Sequence, residues 1–306
     1  MATITGTAAA VKEKRPRRSP SKSQLIAWVW IAPAVFFAAV FLIYPVLNTI
    51  WLSFFNDTST QFVALKNFSH IFTDPAMLEI VRNNLLWLVI GTVVTVFLGL
   101  VIAVLVDRVR IESAAKAAIF IPMAISFVGA GVIWNFMYQY APKGQTQVGL
   151  LNAIITKLGL PPQTWLINPQ VNNFALIAVY VWMWTGFCMV ILSAALKSVS
   201  SDLLEAARVD GANELTIFWR IIVPVISPTI VVVATTMVIN LLKIFDIVYV
   251  MTGGNYGTNV IAMSYYQQNF TFGNTGLASA LAVVLLVAII PIMYFNIRRY
   301  REEVRR

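Results

Sequence analysis

Six long stretches free of charged residues limit what this chain can fold into more than any other feature. They run Leu25 to Ile43, Leu85 to Val106, Ala117 to Met137, Phe174 to Leu196, Ile221 to Leu242 and Leu277 to Phe295, and none holds an Asp, Glu, Lys or Arg. Each has about the 20 residues that a helix needs to cross roughly 30 Å of hydrocarbon. A spanning helix satisfies its own backbone hydrogen bonds, which lipid cannot do for it. A barrel would need strands of about 10 residues with alternating polarity, whereas these stretches are continuously apolar. The expected fold class is therefore an all-α integral membrane protein with six transmembrane helices. Composition agrees, with 59% of residues hydrophobic and 11% charged. An ordinary soluble domain has about 45–50% and about 25%. A water-soluble fold of this chain would leave large apolar patches exposed.

The formal charge of +9 raises nucleic-acid binding as a class. The charges, however, sit in short segments between the uncharged stretches. That is the pattern of charge that sets membrane topology, so no nucleic-acid partner is expected. Residues Met1 to Ser23 are polar and basic, with Lys12, Lys14, Arg15, Arg17, Arg18 and Lys22, and read as a disordered cytoplasmic tail. The run after it is long, bulky and without a small-residue cleavage site, so it reads as a retained first helix and not as a signal peptide. With the N-terminus inside, 17 of the 22 Lys and Arg residues fall on the cytoplasmic side and 4 in outer loops, Lys243 being the remaining one. This asymmetry places both termini in the cytoplasm. The expected organisation is a tail, 1–23, and a six-helix domain, 24–306, with outer loops 45–84, 138–173 and 252–276. Trp51, Trp87, Trp134 and Trp165 lie near predicted span ends, where an interfacial belt is expected.

Catalytic and metal chemistry finds little material here. The one cysteine, Cys188, lies in an apolar stretch and reads as a small buried hydrophobe. His70 is the one histidine, and no cluster has metal-ligand spacing. The chain lacks a G-x-x-x-x-G-K-[ST] phosphate loop, so it is not expected to hydrolyse ATP or to hold a cofactor of its own. Work done by such a chain must draw on another subunit or on an ion gradient.

The most informative polar segment joins the fourth and fifth apolar stretches and reads SVSSDLLEAARVDGANELTIFWRIIVP from Ser198 to Pro224. Ser201 and Asp202 are helix N-cap types, and Asp202 with Glu205 has capping-box spacing. Leu203, Leu204 and Ala207 give an apolar side. Gly211 is suited to positive φ at the helix end, and Asn213 to starting a second short helix that runs towards Arg220. The reading is a helix–turn–helix at the inner membrane surface. By its residues alone it is either a plain connection or a docking element.

Glu205-Ala206-Ala207, Asp210-Gly211-Ala212, then Ile221 and Pro224 resemble the EAA loop of binding-protein-dependent importer permeases. Tyr44-Pro45 with Trp51-Leu52-Ser53-Phe54, and the run Phe245 to Gly254 ending Thr-Gly-Gly, resemble the sugar-importer branch. Together they cover nearly the whole chain beyond Ser23. The chain is similar to sugar-type ABC importer permeases of the maltose, glycerol-phosphate and α-glucoside branch, with a MetI-like transmembrane domain. That branch often has a third glycine and a proline after Thr-Gly-Gly, where this chain has Asn255 and Tyr256.

The resemblance implies a non-enzymatic permease subunit of the bacterial inner membrane. It would import a sugar or sugar-like solute, an oligosaccharide or glucoside foremost. The implied partners are a second homologous permease, an ATPase dimer that binds ATP and Mg, an extracytoplasmic solute-binding protein, and lipid. The implied coupling loop is 198–220, with Glu205, Ala206, Ala207, Asp210 and Gly211 meeting the ATPase.

For the substrate path the residues offer candidates with two readings each. Lys243 and Asp246, spaced i and i+3, share a face if the helix is continuous, either as an ion pair or as a polar lining. Asn240 extends that face, and the resemblance places substrate contacts on this helix. Trp134, Asn135, Tyr180 and Trp184 suit stacking and hydrogen bonding of a sugar ring, or simply pack. An ion-coupled transporter would need carboxylates inside the membrane, and Asp246 alone qualifies. A membrane enzyme would need a convergent catalytic set, which the chain lacks.

Overall fold

The computed structural model describes residues 22–107 and 109–304, and most of each apolar stretch is helical. The expected basic tail lies outside the described residues except for Lys22 and Ser23, which open the first helix. Two units are distinguished, Met1–Asn48 and Thr49–Arg306. The described part of the first belongs to α1, which runs Lys22–Ala38, widens over Ala39–Ile43 and continues as Tyr44–Leu52. Trp28, Trp30 and Phe41 on it are each well over half exposed. Such a surface is matched to lipid, where a helix needs no partner for its backbone.

The second unit holds the remaining helices. A short helix, α2 (Lys66–Thr73), leads into α3, which runs Pro75–Leu86, widens over Trp87–Gly91 and continues as Thr92–Val106. The Asp74 carboxylate starts α3 by accepting the Ala76 and Met77 amides at 2.9 and 3.2 Å. Pro75 follows at the first position, where no amide is needed. Residues 45–84, read as a loop, thus hold the end of α1, all of α2 and the first turns of α3.

The third apolar stretch is not one straight helix, which corrects the expectation. Helix α4 (Glu112–Phe120, closed by a tight turn Ile121–Ala124) and helix α5 (Phe127–Met137) meet at 100°. Pro122 withholds an amide, and its ring crowds the preceding turn. The Ser126 hydroxyl then caps a new helix by accepting the Gly129 amide at 3.1 Å. By length and composition the described residues give five candidate spans, or six if the bent pair counts as one.

Helix α6 (Leu150–Lys157) lies between α5 and α7 (Asn172–Lys197). The α7 apolar window is 67% buried and is the centre of the unit, whereas that of Glu214–Leu242 is 17% buried. Two glycines let α7 approach its neighbours. A β-carbon on Gly99 of α3 would stand 2.5 Å from Cys188 Cβ, and one on Gly186 would overlap the Ile119 carbonyl of α4. Small residues at such contacts bring membrane helices into van der Waals reach. Leu176, Met189 and Leu192 are fully enclosed there.

After α7 come α8 (Ser201–Val209) and α9, which runs Glu214–Ile217, widens over Phe218–Ile222 and continues as Val223–Leu242. The short helix expected from Asn213 therefore runs straight into the span. The widened turn precedes Pro224, which has no amide to bond the carbonyl a turn before it. Helices α10 (Asp246–Met251), α11 (Ile261–Tyr266, widening over Gln267–Thr271) and α12 (Thr275–Val304) complete the unit. A smaller apolar cluster joins α2, α3, α11 and α12 through Ile71, Ile80, Ile261 and Leu281.

Candidate functional site

The turn between α8 and α9 is built by three local devices. Ser200 occupies the N-cap of α8 without a side-chain bond, so Ser201 and Asp202 lie inside the helix and the expected capping box does not form. Asp202 still places negative charge in the first turn, where the helix dipole favours it. At the other end Gly211 takes φ +81°, a conformation that costs glycine little. The Asp210, Gly211 and Ala212 amides bond back to Ala206, Arg208 and Ala207 at 3.0 Å each. The Asn213 side chain then accepts the Thr216 amide at 2.8 Å and starts α9.

Arg208 donates to Glu214 at 2.9 Å across the turn. No residue of α8 is buried. Leu203, Val209, Leu215 and Trp219 are 45%, 87%, 73% and 58% exposed. Glu205, Ala206, Asp210 and Gly211 are also exposed, while Leu204 and Ala207 are half-buried.

The path candidates fall into separate groups. Tyr180 is fully enclosed and stacks on Phe127 at 6.4 Å and on Trp184 at 6.0 Å. Its hydroxyl donates to Met237 Sδ of α9 at 3.6 Å. Trp134 packs on Trp182 at 5.7 Å and on Tyr138 at 5.2 Å, and its buried indole nitrogen has no hydrogen-bond partner. Asn135 is half-buried beside it in sequence.

Asn240, also half-buried, lies near the end of α9. Lys243 and Asp246 do not share a helix face, which corrects the spacing argument. The helix ends at Leu242, Lys243 is its exposed C-cap, and Asp246 opens α10 beyond the break. No ion pair joins them among the pairs of the described residues. Trp87 departs from the expected belt. It is fully enclosed, with its indole donating to Asn173 Oδ1 at 3.4 Å.

Two polar clusters escaped the sequence reading. The first gathers Asn83, Asn84, Asn172 and Asn173. The Asn84 side chain donates to the Leu242 carbonyl at 3.2 Å and accepts the Ile261 amide at 2.8 Å, so it ties the end of α9 to the start of α11. Asn83 donates to the Gly257 and Asn259 carbonyls at 2.8 and 2.9 Å. Asn172 and Asn173 donate to the Tyr256 and Gly257 carbonyls at 2.7 and 3.1 Å. The signal was available, because an Asn-Asn pair stands directly before the second and the fourth apolar stretch.

The second cluster centres on Lys116, which donates to Asp107 and Glu112 at 2.6 Å each and also to Ser193. Lys197 bonds Glu112 as well, and Ser193 donates to Asp107 at 2.7 Å. No group of His, Cys, Asp and Glu among the described residues could hold a metal ion.

Comparison with known proteins fits this arrangement. The family described as binding-protein-dependent transport system inner membrane component matches residues 95–301. An osmoprotective compounds uptake permease protein, GgtC, of Synechocystis is 57% identical over 275 residues, covering 90% of this chain and 99% of its own. An alpha-glucoside transport system permease protein, AglF, of Rhizobium meliloti is 45% identical, covering 90% and 82%. A solved bacterial ABC transporter involved in alginate import shares the fold, with a TM-score of 0.75 at 22% identity over 90% of this chain and 96% of that one. The chain therefore belongs to the inner-membrane permease family of binding-protein-dependent transport systems, and is the membrane permease subunit of such an importer.

Proposed function

We propose that this subunit imports a sugar or sugar-like solute, a glucoside or oligosaccharide foremost, and that the α8–α9 turn couples it to a separate ATPase. The carrying observation is the turn itself. It holds the EAA pattern on a hydrogen-bonded corner whose Leu203, Val209, Leu215 and Trp219 are left largely exposed by the described residues. An exposed apolar set of this kind needs a partner. Glu205, Ala206, Ala207, Asp210 and Gly211 would face the ATPase, which binds ATP and Mg. The names of the two relatives, an osmoprotectant permease and an alpha-glucoside permease, support the solute class.

The remaining assembly would comprise a second homologous permease and an extracytoplasmic solute-binding protein. Both termini would lie in the cytoplasm, as the placement of Lys and Arg favours. Closure of the ATPases would draw the α8 turns of the two permeases together and open the path outward. Hydrolysis would reverse this, as alternating access by rigid-body movement. Asn240, Asp246, Lys243, Trp134, Asn135, Tyr180 and Trp184 remain the proposed contributors to the path. With Tyr180 enclosed in this arrangement, its ring would meet solute only after α7 and α9 part.

The test is uptake of a labelled α-glucoside by proteoliposomes holding the reconstituted complex. Gly211→Asp should leave the subunit inserted and the complex assembled, yet lower ATP-driven uptake at least about tenfold, since an L-residue at this φ strains the turn. Normal uptake by that variant would remove the coupling assignment. Uptake driven by an ion gradient without ATP would remove the mechanism.

A further inference from the structure

The segment 252–276 differs in chemistry from the other two segments assigned to the outer side. It holds no Asp, Glu, Lys or Arg, whereas 45–84 holds five and 138–173 holds two. In their place stand six Asn and Gln side chains and five aromatic rings.

Two of those rings join two more in a ladder. Phe245 and Tyr249 stand at i and i+4 across the start of α10, and Tyr266 and Phe270 at i and i+4 across α11 and its widened turn. Phe245 stacks on Tyr249 with ring centroids 5.2 Å apart. Tyr266 lies 5.3 Å from Phe245 and 5.4 Å from Tyr249, and Phe270 lies 5.2 Å from Tyr266. Tyr249 and Phe270 are 46% and 66% exposed, while Phe245 and Tyr266 are half-buried.

The ladder is held by its own loop. The Gln267 side chain donates to the Gly253 carbonyl at 3.1 Å and accepts from the Asn259 side chain at 2.9 Å. Such bonds lower the ordering cost of binding. Val250 and Met251 of α10 also press on Gly131 of α5, where a β-carbon would stand 3.0 and 3.4 Å from them. Helix α5 carries Trp134 and Asn135, so the ladder adjoins the proposed path.

In the widened turn beside Phe270, the Gln268 and Asn269 side chains bond nothing among the described residues. Aromatic faces with unspent amides and hydroxyls suit a sugar ring, which offers C–H groups on its faces and hydroxyls at its edge. A lipid phosphate or an acidic protein would call for cations, and this segment has none. Glu79 of α3, which comes close to it at Gly257, is an acid as well. An interfacial belt is built of Trp and Tyr, whereas the most exposed ring here is Phe270.

We infer that the ladder of Phe245, Tyr249, Tyr266 and Phe270 is a glycosyl-binding platform, separate from the enclosed Tyr180–Trp184 stack, on which a sugar ring rests before it enters the path. This depends on the importer reading above and adds a second contact for the same solute.

The experiment titrates the complete complex in nanodiscs with maltose, without binding protein, and reads saturation transfer to the sugar C–H protons by NMR. Tyr249→Leu with Phe270→Leu keeps the surface apolar but removes both exposed rings, and should raise the dissociation constant at least about tenfold. Tyr249→Phe with Phe270→Tyr keeps the rings and should bind as wild type does. Unchanged affinity in the leucine variant would overturn the platform and leave the importer reading standing. So would a wild-type complex that gives no transfer, whichever sugar it imports. Loss of the second permease from the leucine variant would overturn the platform in favour of a subunit contact. A wild-type complex that imports no sugar with ATP and its binding protein would overturn both.

Discussion

The apolar runs of α3 and α7 are bounded by opposite chemistry. In the third turn of α3 and at the start of α7 four neutral amides bond backbone groups of the 256–261 segment and the end of α9. At the other end carboxylates and lysines bond each other and Ser193. Asn84 and Asp107 are 23 residues apart in the sequence, about 34 Å along a helix, which matches the hydrocarbon thickness.

The amides spend their hydrogen bonds on backbone groups that would otherwise be buried unpaired. They neither titrate nor respond to salt. The charged cluster is partly exposed and open to screening. Stability at the first is therefore expected to ignore salt, and stability at the end that leads into the α8 turn to respond to it.

Substitutions can break this comparison. Asn84→Leu should have the largest effect. It strands the Leu242 carbonyl and the Ile261 amide, at about 1–3 kcal/mol for each buried group. The detergent-solubilised protein should melt well below wild type, by the same margin at low and high salt. Gly186→Val forces a side chain into the Ile119 carbonyl, and overpacking of this kind costs about 1–3 kcal/mol. Near-native melting there would show that α4 is free to move off α7.

Lys116→Met should destabilise less than Asn84→Leu, and the loss should shrink at high salt. Salt-independent loss would erase the proposed contrast. Asn213→Ala removes one cap, worth about 1 kcal/mol, and should show as fraying of the first turn of α9 by amide hydrogen exchange. Arg208→Ala should leave melting unchanged, because both partners of its ion pair are half exposed or more. Any effect would then appear in coupling to the ATPase.

Much of this was legible in advance. The apolar runs located α3, α7, α9 and α12, and the Gly211 turn with its Asn213 cap followed from residue type. The break at 122–126 was not legible, because hydropathy records how apolar a stretch is and not its direction. Pro122 was in view, but the run Ala117 to Met137 stayed apolar across it. The Lys243–Asp246 argument failed for a related reason, since helical spacing has meaning only where the helix continues. The asparagine cluster is not legible from charge patterning, because neutral amides carry the buried polar work here.

The widened turns have a consequence for the chain as a string of fixed length. Each at Trp87–Gly91 in α3 and at Phe218–Ile222 in α9 takes up more chain per turn than a regular helix. Such a turn is slack. A one-residue deletion inside it can be absorbed by tightening to a regular helix, with the segments on either side still facing their neighbours. The same deletion two turns away would swing every following side chain about 100° off its contacts.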